Sequence, residues 1–167
     1  MTKLHFTLAQ KQDLESIFAM FSEAIDEMKR NSLDQWDNAY PDKNLLEEDI
    51  DRSQLYIGSA DGIIVSAYVL NQECDDQYVN GTWKYPNSKY YVIHRLCVSP
   101  IFQNKGIGRL TMLHIENEIK KIGIETIRLD VFALNTYAIR MYEKLGYIKV
   151  GCANWRKGKF YLMEKII

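Results

Sequence analysis

Gln103, Lys105, Gly106, Gly108 and Arg109 form a short group whose types and spacing suit the binding of an anion. The apolar run from Tyr91 to Val98 reads as a strand that Pro100 ends, and a helix-period segment then runs to about Ile122. That order predicts a helix N-terminus at Gln103 to Gly108. The opening N–H groups of a helix lack partners within it, and its dipole puts partial positive charge there. Two glycines let the backbone approach an anion closely, and Lys105 and Arg109 add charge, so a phosphate or pyrophosphate is the expected occupant. A tight turn into a helix would use the same glycines, and the group alone leaves both readings open. Thr111 stands where a dinucleotide fingerprint needs its third glycine, and no Gly-Lys-Ser or Gly-Lys-Thr makes a nucleotide P-loop.

A second block lies downstream. Asn135, Ala138, Tyr142, Gly146 and Tyr147 fall in the order Asn-x-x-Ala-x-x-x-Tyr-x-x-x-Gly-aromatic. Read alone, Asn135 caps a helix that starts at Thr136, and Tyr142 shares an apolar helix face with Ala138, Met141 and Leu145.

With Gln-x-x-Gly-x-Gly at 103 to 108, the two blocks resemble the acetyl-coenzyme A signatures of the GNAT N-acetyltransferase superfamily. The resemblance is firm from about Tyr90 to Val150. It implies one domain over residues 1–167 with an α/β fold. The expected architecture is a mixed, mostly antiparallel twisted sheet of six to seven strands, splayed at its central strands and flanked by about four helices. It also implies acetyl-coenzyme A as acyl donor, without a metal.

Carried over position by position, the resemblance assigns the donor to the strand end Leu96, Cys97 and Val98 and to Gln103, Asn104, Lys105, Gly106, Ile107, Gly108 and Arg109. Asn135 would meet the pantetheine arm, and a backbone N–H near Val98 would receive the thioester carbonyl. Tyr142 matches the tyrosine taken as general acid. The base is less defined: His94 on the central strand is one candidate, and the acidic group Glu73, Asp75 and Asp76 is another. Trp36, Tyr40 and Trp155 are candidates for the acceptor pocket, as are Tyr78 and Tyr161. Trp36 and Tyr40 lie between two helices, where aromatics either line a pocket or plug a core. A small-molecule amine is the expected acceptor. Acetylation of protein N-termini or lysines, and acyl-coenzyme A binding without turnover, remain open alternatives. A homodimer, common in the superfamily, also stays open.

Composition narrows the setting. The net charge is −1 and 47% of residues are hydrophobic, as in a globular chain with a core of ordinary size. Residues 1–70 carry 6 Lys or Arg against 13 Asp or Glu, and residues 71–167 carry 15 against 9. The basic half holds the proposed phosphate site, and the acidic half could face a cationic amine. A pI near 6.3 argues against a nucleic-acid partner. No apolar run reaches membrane-span length and the first residues show no signal-peptide core, so no membrane partner and a cytoplasmic location are expected. Cys74, Cys97 and Cys152 are odd in number and widely spaced, which suggests reduced structural thiols and no acyl carrier.

Several elements must position these residues. Strands are expected over Lys3 to Leu8, Leu55 to Ser59, Ile63 to Leu70, Tyr90 to Val98 and Thr126 to Val131, and over a final hairpin of Tyr147 to Cys152 with Lys159 to Ile166. Helices are expected over Lys11 to Arg30, Leu45 to Arg52, the segment after the glycines, and Thr136 to Leu145. Gly123 and Gly146 read as helix stops. Asn71 to Lys89 reads as a long polar loop of the kind that often carries function.

Overall fold

The computed structural model describes residues 4–167. Lys3, the expected first residue of the first strand, lies outside the described residues. The elements are β1 (His5–Leu8), α1 (Leu14–Arg30), α2 (Lys43–Asp51), β2 (Leu55–Ala60), β3 (Ile63–Asn71), β4 (Tyr90–Val98), α3 (Ile107–Lys121), β5 (Thr126–Phe132), α4 (Thr136–Lys144), β6 (Ile148–Trp155) and β7 (Gly158–Ile166). Their order is the one expected from periodicity. Seven strands form one mixed, mostly antiparallel sheet in the order β1-β2-β3-β4-β5-β7-β6, accompanied by four helices.

The chain divides into two compact units. One comprises residues 1–70 and 95–111, the other residues 71–94 and 112–167.

In the first unit, α1 buries Leu14, Ile17, Met20, Phe21, Ala24 and Ile25. Their spacing of three and four makes one apolar stripe. This stripe packs with Leu46 and Ile50 of α2 and with Leu55, Ile57, Ala67, Val69 and Cys97 of the strands. Asp42 caps α2 by accepting from the Leu45 N–H at 2.8 Å. Asp61 and Gly62, at φ 49° and 81°, make the tight turn between β2 and β3 that their Asp-Gly pair predicts.

In the second unit, β4 runs parallel to β5 from Tyr90 opposite Thr126 to Ile93 opposite Leu129. Strand β5 is antiparallel to β7, and β7 to β6. The segment expected to be a long loop contains a short 3-10 helix, Asp76–Asn80, and is fastened to the sheet. Tyr78 donates its hydroxyl hydrogen to Asp130 Oδ2 at 2.8 Å, and Trp83 Nε1 donates to the Tyr78 carbonyl at 2.9 Å. The Lys84 N–H donates to Glu164 Oε2 at 2.8 Å. The Arg128 guanidinium lies 4.4 Å from the Trp83 ring centre and 4.0 Å from that of Tyr90, a pair of cation–π contacts. A buried tyrosine, hydrogen bonds to the sheet and a cation–π contact therefore hold this segment, which its polar sequence did not announce.

Gly151 on β6 lets the segment come this close, because a Cβ there would sit 2.6 Å from the Asn80 carbonyl oxygen. That contact is with backbone, which yields poorly. Gly151→Ala is expected to cost about 1–3 kcal/mol of stability, read from the urea unfolding midpoint. An unchanged midpoint would show that the segment packs more loosely than described.

Candidate active site

The donor residues Leu96 to Arg109 all lie in the first unit. Strand β4 ends at Val98, and the Ser99 N–H donates to the Val65 carbonyl at 2.9 Å, which fastens the strand end to β3. Pro100 opens a 3-10 turn, Pro100–Phe102, and the chain then turns sharply before α3. Gln103 donates its side-chain amide to the Val98 carbonyl at 3.2 Å. This bond ties the turn to the strand end, a use of the motif glutamine that the sequence did not suggest. Asn104 and Gly106 both have positive φ, 59° and 80°. Such residues in a turn aim successive N–H groups to one side, as anion-binding nests do.

The first helical bond of α3 in this turn runs from the Leu110 N–H to the Gly106 carbonyl at 3.0 Å. The N–H groups of Ile107, Gly108 and Arg109 precede it and have no carbonyl four residues back within the helix. Asn104, Lys105, Gly106 and Arg109 are exposed, and nothing lies within 4 Å of where a Gly106 Cβ would be. An open turn with helix-start donors and two exposed cations fits a pyrophosphate. Thr111 is buried: its Oγ1 donates to the Ile107 carbonyl at 2.9 Å and lies 3.1 Å from Ser66 Oγ. It pins the first turn of α3 to β3.

The other candidates of this unit fall in two places. Trp36 is buried against Phe21, with ring centres 5.5 Å apart, so of the two readings for this aromatic its placement matches the core plug. Tyr40 stays exposed and accepts a hydrogen bond from Arg95 Nη1 at 3.1 Å. Cys97 is buried, and that burial alone pushes its thiol well above the usual range. It is a neutral packing group.

The second unit holds Asn135, Tyr142, His94 and Trp155. Asn135 Oδ1 accepts from the Ala138 N–H at 3.1 Å, the helix cap expected from its place before Thr136. About two turns on, Tyr142 is buried with its ring 5.7 Å from that of Tyr147, edge to face. Burial first, and then the charge of Asp130, hold its hydroxyl well above the usual tyrosine range. His94 Nε2 lies 2.9 Å from Asn71 Oδ1, which also accepts from the Glu73 N–H at 2.9 Å. Trp155 Nε1 donates to Asp75 Oδ1 at 3.0 Å, so this acidic residue braces an aromatic at the turn of the last hairpin. Among the described residues no group of three or more His, Cys, Asp or Glu could hold a metal ion. None of their helices is long and apolar enough to cross a membrane.

Two features went unnoticed in the sequence. Asp130, in a strand otherwise largely buried, binds Tyr78 and acts electrostatically on Tyr142. Arg95, in the middle of an apolar strand, has φ 50° and a buried carboxylate partner, Asp49. A charged residue interrupting a core strand was the available signal in both cases.

The family model of the acetyltransferase (GNAT) family matches residues 18–147. The [ribosomal protein bS18]-alanine N-acetyltransferase of Escherichia coli (strain K12) is 38% identical over 55 residues, covering 33% of this chain and 37% of that protein. The chain thus matches little more than a third of the length of that relative. The S-(2-succino)cysteine N-acetyltransferase of Bacillus subtilis (strain 168) is 24% identical over 168 residues, covering 98% of this chain and 95% of that protein. A GNAT-family acetyltransferase structure from Streptococcus agalactiae superposes with a TM-score of 0.85 at 23% identity, covering 100% of this chain and 98% of the other.

Tyr142, Tyr78 and Tyr147 share a pH signature. Burial is the main cause in each, followed by Asp130 for the first two and Glu116 for the third. All three keep their protons in the fold above the value near 10 at which an unfolded tyrosine ionises. Below that pH both states hold these protons; above it the unfolded chain releases them first, so stability falls as pH rises. Urea midpoints should therefore drop from about pH 10 upward, and less steeply in Tyr142→Phe. Equal slopes in the two proteins would contradict the buried, protonated phenol.

Proposed function

The chain belongs to the acetyltransferase (GNAT) family, and on that premise we propose that it moves the acetyl group of acetyl-coenzyme A to the primary amine of a small molecule, by direct attack in a ternary complex. The observation that carries the reading is the open turn from Gln103 to Arg109, with positive φ at Asn104 and Gly106 ahead of the first N–H groups of α3.

The donor supplies an acetyl group activated as a thioester. In this reading the N–H groups opening α3 hold the pyrophosphate, aided by the charges of Lys105 and Arg109, while Leu96 to Val98 line the pantetheine arm. A backbone N–H near Val98 donates a hydrogen bond to the thioester oxygen as negative charge develops on it, and one such donor is worth about 2.7–4 kcal/mol to the reaction. Tyr142 gives its proton to the departing thiolate. Its buried phenol is fully protonated at neutral pH, as a general acid must be. His94 takes the proton of the amine, with Asn71 fixing its ring. Direct attack is supported by Cys97, whose buried neutral thiol is a poor nucleophile. The three cysteines are free thiols, which fits a cytoplasmic setting.

A small amine is favoured because the relative aligned over 98% of the chain is named for a cysteine derivative. A protein N-terminus is the second reading, favoured by the higher local identity to the bS18-alanine enzyme, 38% over 55 residues.

Free thiol released from acetyl-coenzyme A, measured with S-substituted cysteines, simple primary amines and alanine-starting peptides, separates the two readings. Release that rises with the small amines is expected; release that rises with the peptides alone would select the second reading, and release with none of them would count against transfer. With the responsive amine, Tyr142→Phe is expected to lower kcat by about 10²- to 10⁴-fold, with acetyl-coenzyme A affinity nearly unchanged. An unchanged kcat would remove Tyr142 as the acid.

A further inference from the structure

Ser66 of β3 and Thr111 of α3 have no exposed surface, and their hydroxyl oxygens lie 3.1 Å apart. A buried hydroxyl must find a partner, a demand that an apolar side chain at either position would not make. Opposite Ser66 on β2 stands Gly58, which leaves room for the hydroxyl: a Cβ there would sit 2.5 Å from Ser66 Oγ.

The direction of the bonds follows from what each group can do. Thr111 Oγ1 lies 2.9 Å from the Ile107 carbonyl, which only accepts, so the one hydroxyl hydrogen of Thr111 is committed there. Ser66 is then the donor to Thr111. The Ile107 carbonyl belongs to the same planar peptide unit as the Gly108 N–H. That N–H is one of those opening α3 with no carbonyl four residues back within the helix. The dipoles therefore run one way, from the Ser66 hydroxyl through Thr111 and the Ile107 carbonyl to the Gly108 N–H. In such a chain each bond polarises the next, by about 10–30% per bond.

The same stretch of β3 holds the other end of the turn. The Val65 carbonyl, next to Ser66 in sequence, accepts from the Ser99 N–H at 2.9 Å. Two consecutive residues of β3 thus fasten residues 99–111 on the strand side and on the helix side, and the donors between them are set against a fixed base.

We infer that Ser66 and Thr111 are positioning residues for the acyl donor: they form a buried hydroxyl relay that aims and polarises the Gly108 N–H toward the pyrophosphate of coenzyme A. The inference rests on the proposed function, in which this turn holds the donor. It gives two core residues of the first unit a part in phosphate affinity without contact to the ligand.

The test sets coenzyme A against pantetheine, which has the same arm and no phosphate, and measures both dissociation constants in four proteins. These are the parent chain, Thr111→Ser, Thr111→Val and Ser66→Ala/Thr111→Val. Serine keeps the relay, whereas valine keeps the shape and removes it. The double variant leaves neither hydroxyl unpaired in the core, so loss of the relay is separated from poor folding. In Thr111→Val and in the double variant the ratio of the two constants is expected to shrink about threefold or more from its parent value. The change should lie in coenzyme A, with pantetheine affinity held within about twofold. Thr111→Ser should keep the parent ratio. A parent ratio preserved in the double variant would overturn the inference and leave a structural staple, as would a serine variant that loses as much as valine does. Equal affinity for both ligands in the parent chain is a different result: it would remove the donor reading itself, and the relay with it.

Discussion

A helix cannot satisfy its own first N–H groups, and in this protein that constraint is placed where a strand ends. Val98 closes β4, Gln103 bonds back to the Val98 carbonyl, and α3 opens four residues later with its donors in an exposed turn. Everything nearby serves to hold this turn in place. Ser99 is bonded to Val65, Thr111 is buried beside Ser66, and Cys97 is packed into the core beneath. The N–H groups that open α3 have no carbonyl four residues back within the helix, which is the property that suits a helix start to an anion.

The second unit solves a different problem, the storage of protonated and oriented groups. Tyr142 is buried on α4, which Asn135 caps, and its phenol cannot ionise at ordinary pH. Asp130 is held by Tyr78, and Tyr78 is seated by a segment fastened through Trp83, Arg128 and Glu164. The sequence of that segment is polar, yet its aromatics are what fix it. Order around Asp130, and through it the environment of Tyr142, is thus drawn from packing some distance along the chain.

Much of the fold was legible because its signals are local. The 3.6-residue stripe of α1, the Asp-Gly turn between β2 and β3, and Asn135 ahead of Thr136 each depend on neighbours in sequence. The glycine turn was legible for the same reason. The roles of Arg95 and Asp130 were not, since each depends on a partner brought from far along the chain: Asp49 lies 46 residues from Arg95, and Tyr78 lies 52 from Asp130. Trp36 and Tyr40, four positions apart in one segment, show the same limit. One is buried on Phe21 and the other faces Arg95 from the surface, a division that no local pattern encodes.

The account stands on the turn at the start of α3 as a grip for pyrophosphate. Calorimetric titration of the protein with coenzyme A and with pantetheine, which has the same thiol arm and no phosphate, tests this most directly. Coenzyme A should bind about tenfold to a hundredfold more tightly, the range that charge-assisted hydrogen bonds to a phosphate supply, and Gly106→Ala should narrow the gap. Equal affinity for the two ligands would contradict the account.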